Sequence, residues 1–435
     1  MAVTPFDSRL LAPLFADPGI AALFSDAAEV EAMIAVERAL ARVEGRLGVI
    51  PVDAAAEIDR KLDGATVDAA SLAAGTRSAG VPLPALVKEL RAIVGGEAAG
   101  FVHWGATSQD IVDTALVARL GTALGLLEAR LDRLIEILAG LAERHRATVM
   151  AARTRTQIAV PTTFGLRAAG WLVPLLRHRE RLAEARPRIL MIQFGGAGGT
   201  ASAIGGDGLA VMEGLAAELG LTAPPMPWHT QRDGLMELAG WLASLAASLG
   251  KIGTDVALLA RSEVAEVRPG SGGGSSTMPQ KANPVSAEML VALARLTAGH
   301  LGTFAQGAIH AEERDGAAWS VEWATLPAMV VAAGGGLVHA VELLETLVVD
   351  EAAMRARAGG ATLAEAASFA LSAHMSREAA QALVKKAAAS DADLVTALAG
   401  LSDAPIDWAA FADPAKHLGV ADLFLDRVLA DARKR

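Results

Sequence analysis

Residues 270–284 read GSGGGSSTMPQKANP and gather groups that could handle a proton and an anion. Gly270, Gly272, Gly273 and Gly274 open many backbone conformations, while Pro279 and Pro284 stiffen the far side. A segment of this kind can move the Ser275 and Ser276 hydroxyls, with Lys281 and Asn283 on the stiff side to hold a negative group. The alternative is a flexible serine-glycine linker between domains. It accounts poorly for the run Met278 to Pro284, after which helical spacing resumes with Met289, Leu293 and Leu296. Three further stretches break the surrounding pattern: HWGATSQD (103–110), ARTRTQIAVPTTFG (152–165) and QFGGAGGTAS (193–202). Each joins polar side chains to small residues or proline, and sequences tend to break local rules where they carry a site.

The elements that must position these stretches are helices. Leu235, Leu238, Leu242, Leu245, Leu249, Ile252, Val256 and Leu259 recur at spacings of three and four, which predicts one long helix with an apolar seam. Leu124, Leu127, Leu131, Leu134, Leu138 and Leu141 form a second seam, and Met33, Val36, Leu40, Val43 and Leu47 a third. Such repeats favour long helices at shallow crossing angles, so the fold class is all-α with a central helical bundle. No sustained alternation of β-branched residues is present, so strands should be few and short. Breaks near 105 and at 345–360 divide the chain into an N-terminal helical domain (1–105), the bundle (106–347) and a small C-terminal helical domain (348–435). A helical scaffold without catalysis would bury the same stripes, and periodicity leaves both readings open.

Composition narrows the partners. A formal net charge of -10 weakens the case for nucleic-acid binding, which would normally rest on a basic face, and points to small molecules. The chain has no cysteine, which excludes disulfides, thiolate nucleophiles and sulfur-ligated metals. The histidines show no pair at helical ligand spacing, so no metal site is expected. The glycine clusters at 195–199 and 205–208 lack the preceding strand and the lysine of a phosphate cradle, and no cofactor follows from them. MAVTPFDSRLLAPLF lacks the pattern of an export signal, and a cytoplasmic address is expected. The most apolar later stretch, Ala324 to Val338, contains Pro327 and Gly334–Gly336; it is expected to fall short of the ~20 residues of a membrane span.

The stretch SSTMPQKANP resembles the signature loop of the fumarase/aspartase superfamily, and HWGATSQD, with its Thr-Ser pair and following Asp, resembles a second superfamily region. The long-helix pattern agrees over essentially the whole chain. The resemblance implies a three-domain fold and a homotetramer with a twenty-helix core, each active site being assembled from three subunits. It implies that Ser275 is the base that takes a proton from the carbon next to a carboxylate, and that Lys281, Asn283, Thr107 and Ser108 bind the dianion so formed. Removing that proton places two negative charges on one small group, which calls for a cation and several fixed donors. His103 matches a superfamily histidine that contacts substrate in some members; beside Trp104 it could instead be a hydrogen-bonded interface residue. The resemblance also places His229, Gln231 and Arg232 near the pocket.

Most lyases of this superfamily carry a histidine, as general acid, where this chain reads Arg153-Thr154-Arg155-Thr156-Gln157. Arg155 is a fixed cation and cannot shuttle protons, which argues against adenylosuccinate and argininosuccinate lyase chemistry. A reaction whose nucleophile or leaving group is a carboxylate needs no acid or base at that end. AEERDGAAWSVEWATLP (311–327) and QFGGAGGT resemble the muconate-lactonizing members of the superfamily. That likeness implies ring closure of a small tricarboxylate, with Lys281, Arg155 and Arg314 as its three cations and Gln157 and Ser276 also in the pocket. A sulfonated muconate would suit the same guanidinium, and a lyase such as adenylosuccinate lyase is the alternative within enzymes.

Overall fold

The computed structural model describes residues 3–270, 273–274, 278 and 281–434, so Ser275 and Ser276 lie outside the described residues. The expected all-α class is observed. The long helices are α1 (Asp26–Leu47), α2 (Ser108–Arg144), α3 (Phe164–Ile189), α4 (Asp233–Leu259), α5 (Val285–Gly307) and α6 (Gly316–Glu345). The three predicted seams lie on α1, α2 and α4, and every seam residue except Leu47 is at most 2% exposed. Leu47 is 42% exposed because it ends α1, where Gly48 takes the left-handed conformation at φ 74° and stops the helix.

The segment around Pro327 departs from expectation. The proline and the glycine run do not cut it short: α6 continues through both for 30 residues. Among the described residues two helices, α4 and α6, are long and apolar enough to cross a membrane by length and composition. Over half of each apolar window, 56% and 72%, is buried inside the protein, as in core helices. The glycines serve close packing. A Cβ on Gly334 would stand 2.6 Å from Ile20 Cδ1, and one on Gly335 would stand 2.5 Å from the Phe15 carbonyl oxygen.

The chain divides into two compact units. The first comprises residues 1–130, 178–247 and 292–338. Its core surrounds α1, whose Met33, Val36, Leu40 and Val43 pack with Ile58, Leu86, Leu90, Ile111, Phe194 and Leu215. Ser25 caps α1 by accepting the Ala28 N–H at 3.3 Å. Gly45 lets α1 approach the helix Val52–Leu62, since a Cβ there would lie 2.4 Å from Ala55 Cβ.

The second unit comprises residues 131–177, 248–291 and 339–435. Its longest strands form an antiparallel hairpin, β1 (Val149–Thr154) with β2 (Gln157–Thr163), over part of a stretch that the sequence marks only as irregular. Arg155 and Thr156 make the two-residue turn with φ of 50° and 69°, the left-handed pair that a tight hairpin demands and that a β-branched threonine adopts at a cost. A second hairpin, β3 (Gly273–Gly274) with β4 (Ala282–Asn283), closes the base of the glycine-rich segment. Helices Ala364–Ser372, Arg377–Ala388 and Leu394–Leu401 form a small separate core through Leu371, Ala380, Val384 and Leu398.

Candidate active site

The first unit gathers a dense set of buried polar groups where the apolar pattern of α2 begins. Ser108 is the first residue of this 37-residue helix, so free backbone N–H groups and the positive end of the helix dipole lie beside the Thr107-Ser108 pair. Asp110, wholly buried, organises that end. Its Oδ2 accepts the Thr107 N–H at 3.0 Å and the Gly196 N–H at 2.8 Å, and its Oδ1 lies 2.8 Å from His229 Nε2. One carboxylate therefore ties together the HWGATSQD, QFGGAGGT and PWHTQRDG stretches. A carboxylate only accepts, so this contact places the His229 proton on Nε2.

One helical turn further on, Asp113 begins a second network. Arg232 donates to Asp113 Oδ2 at 2.7 Å and to Glu322 at 2.8 and 2.5 Å, and no side chain of the three is more than 1% exposed. Burial opposes the charge on Arg232, yet the two carboxylates outweigh it and hold its pKa above the ordinary guanidinium value. Trp319 Nε1 donates to Asp113 Oδ1 at 3.0 Å, His310 Nε2 lies 3.1 Å from Glu322 Oε1, and Arg232 stacks over the Trp228 ring at 4.7 Å. Gln109 joins the two networks by donating to Asp113 Oδ2 at 3.1 Å and to the His229 carbonyl at 2.9 Å.

Arg314 stands over this base, donating to Thr107 Oγ1 at 2.6 Å and to Gln109 Oε1 at 3.3 Å. The Thr107 hydroxyl hydrogen is thus left for another acceptor, and a guanidinium, two hydroxyl side chains and a helix N-terminus form a surface suited to an anion. His103 holds a left-handed backbone at φ 64°, with Nδ1 2.7 Å from Glu37 Oε1. Burial works against its charge, but the Glu37 carboxylate more than offsets this and raises its pKa above the usual imidazole value. The Asp110 carboxylate adds to the rise.

His103, Thr107, Ser108 and Arg314 therefore belong to the first unit. Arg155, Gln157, Lys281 and Asn283 belong to the second, where Arg155, Gln157 and Lys281 are exposed and Asn283 is half-buried opposite Gly273. Asp113 and Glu37 belong to no motif that stands out in the sequence, and Asp110, His229, Arg232, Trp319 and Glu322 lie in separate stretches whose meeting no local pattern displays. The available signal was Gln109, Asp110, Asp113 and Thr114, four polar residues set into an otherwise apolar helix and all at most 1% exposed.

A profile of the lyase family matches residues 19–299. The chain is 44% identical to the 3-carboxy-cis,cis-muconate cycloisomerase of Pseudomonas aeruginosa, over 94% of this chain and 93% of that protein. It is 39% identical to the nitrosuccinate lyase of Streptomyces davaonensis, over 97% of this chain and 94% of that one. Among solved structures, the 3-carboxy-cis,cis-muconate lactonizing enzyme from Pseudomonas putida superposes with a TM-score of 0.92 at 37% identity, covering 98% of this chain and 99% of that one.

Proposed function

The chain belongs to the lyase family, within the fumarase/aspartase superfamily, and from that premise we propose that it closes 3-carboxy-cis,cis-muconate to a carboxymuconolactone. The observation that carries the proposal is the 44% identity to a cycloisomerase over nearly the full length of both chains. The buried scaffold under Thr107 and Arg314 supports it. In this reading one substrate carboxylate adds across the conjugated double bond, and the charge it brings moves onto the neighbouring carboxylate as a dianion. The proton then reaches carbon from Ser275, and the intermediate rests on Thr107, Ser108, Lys281 and Asn283. The attacking group is already ionised, so the fixed cation Arg155 replaces an acid-base histidine without loss. No cofactor is invoked. The proposal includes a homotetramer in the cytoplasm whose active sites are shared between subunits, in keeping with the exposure of Arg155, Gln157 and Lys281 in the single chain.

A second reading, elimination of nitrite from nitrosuccinate, is favoured by the 39% relative and by Arg155, because nitrite also departs as an anion. The deciding experiment follows the ultraviolet absorbance of the muconate diene with purified protein, with nitrosuccinate and adenylosuccinate in parallel. Catalytic loss of the diene signal supports lactonisation. Turnover of nitrosuccinate alone selects the second reading, and turnover of adenylosuccinate alone removes both along with the role given to Arg155.

A further inference from the structure

The second unit contains a pocket of about 420 Å³ between α3, α4 and the β1–β2 hairpin. Four cations line it: Arg153, Arg167, Lys251 and Arg261. Three have partners. Arg153 makes a bidentate pair with Glu266 at 2.7 and 2.8 Å, Lys251 pairs with Asp255, and Arg261 Nε lies 3.4 Å from Glu263. Trp171 Nε1, at 2.8 Å, further occupies Asp255. Arg167 differs: among the described residues its guanidinium makes no hydrogen bond or ion pair, although the residue is half-buried. Burial lowers its pKa, and the Asp255 carboxylate only partly compensates. The remaining wall is apolar, with Leu166, Trp171, Leu258 and Leu259.

We propose that this pocket is a binding site for a small monocarboxylate with an apolar body, the carboxylate seated on Arg167 and the body on Trp171 and the leucines. The charge count sets the ligand class: with three cations matched inside the protein, one guanidinium is left for one carboxylate, and its fork suits that group bidentately. The size of the pocket and its apolar wall leave room for a ring or a short branched chain. The inference is independent of the reaction assigned above, since Arg167, Trp171 and Leu258 have no part in it.

The test uses the full-length protein and benzoate, with benzamide as its uncharged counterpart, in calorimetric titrations. Benzoate should bind and benzamide should not. Arg167→Gln should weaken benzoate about 10- to 100-fold, the range for loss of hydrogen bonds to a charged group. Gly170→Leu gives a second arm that leaves every charge in place: Gly170 is exposed at the pocket and a Cβ there meets nothing within 4 Å, so the added side chain obstructs the pocket without a clash at its root. It should abolish binding, where Arg167→Gln only weakens it. Arg314→Ala should leave benzoate affinity unchanged. The proposal is overturned if benzoate fails to bind, if binding survives both pocket variants, or if only Arg314→Ala removes it. It is equally overturned if Arg167→Gln changes the oligomeric mass while benzoate affinity is unaltered, which would assign the guanidinium to a carboxylate of a second copy.

Discussion

Glu44 offers the sharpest test of the packing around α1. It is 1% exposed, its Oε1 has no hydrogen-bond partner, and burial, reinforced by the charge of Glu37, raises its pKa from 4.5 to about 9. The folded protein therefore keeps this carboxyl protonated at neutral pH, while the unfolded chain releases the proton above about pH 4.5. Because the folded pKa is the higher one, the stability linked to Glu44 is complete below the unfolded value. It falls as pH rises, until the folded group ionises near 9. Each pH unit in that window costs about 1.4 kcal/mol, so the interval from pH 5.5 to 8.0 costs roughly 3 kcal/mol. Glu44→Gln keeps the shape of the neutral side chain and removes the titration. The stability of the variant minus that of the wild type should therefore increase by about 3 kcal/mol across the interval, whatever constant offset the amide introduces. Urea-unfolding midpoints at four or five pH values give the quantity directly. A difference that stays level with pH would mean that Glu44 ionises freely in the fold, and the reasoning from its burial would be wrong.

Arg232→Met should destabilise by about 3–5 kcal/mol in denaturant titrations, because it strands Asp113 and Glu322 as buried carboxylates; Arg232→Lys should not restore the loss, since a single ammonium cannot span both. Thr107→Val removes the hydroxyl that Arg314 engages at 2.6 Å, and kcat/KM for the muconate should fall about 10- to 100-fold with the melting temperature nearly unchanged. Gly165→Ala drives a Cβ to 2.6 Å from the Ala142 carbonyl oxygen and 2.8 Å from Arg146 Cα, both backbone atoms that cannot swing away, so a loss of about 1–3 kcal/mol is expected by the same titration.

Much of the fold is written locally. The seams of α2 and α4 could be read because burial there repeats with the helical period and nothing competes with it. The hairpin at Val149–Thr163 could not, because its turn uses Arg155 and Thr156 where a tight turn usually shows glycine or asparagine, and a bulge between Ala151 and Arg153 breaks the alternation. The site divides along the same line. Thr107 and Ser108 sit in a short motif that a sequence displays outright. The scaffold beneath them does not: Asp110 meets His229, and Asp113 meets Arg232, each across 119 positions, while Arg232 meets Glu322 across 90. Singly, these are ordinary charged residues, and only the packing of α2 against the 228–232 segment and α6 makes them one network. Glu44 was hidden for a related reason, since a carboxylate on a helix is normally taken as solvent-facing.

The two missing Cβ atoms of α6 bear on the order in which the chain is made and folded. Gly334 and Gly335 form the seat for Ile20, Asp17 and Phe15, so the 15–20 segment packs against a surface encoded about 320 residues later, from 15 to 335. At the usual ~5–20 residues per second, that seat emerges roughly 16 to 64 s after its occupant. Through that interval the apolar side chain of Ile20, 0% exposed in the finished protein, must wait without its partner. The 15–20 segment is thus made well before the α6 surface that it packs against, and lacks that contact until α6 emerges.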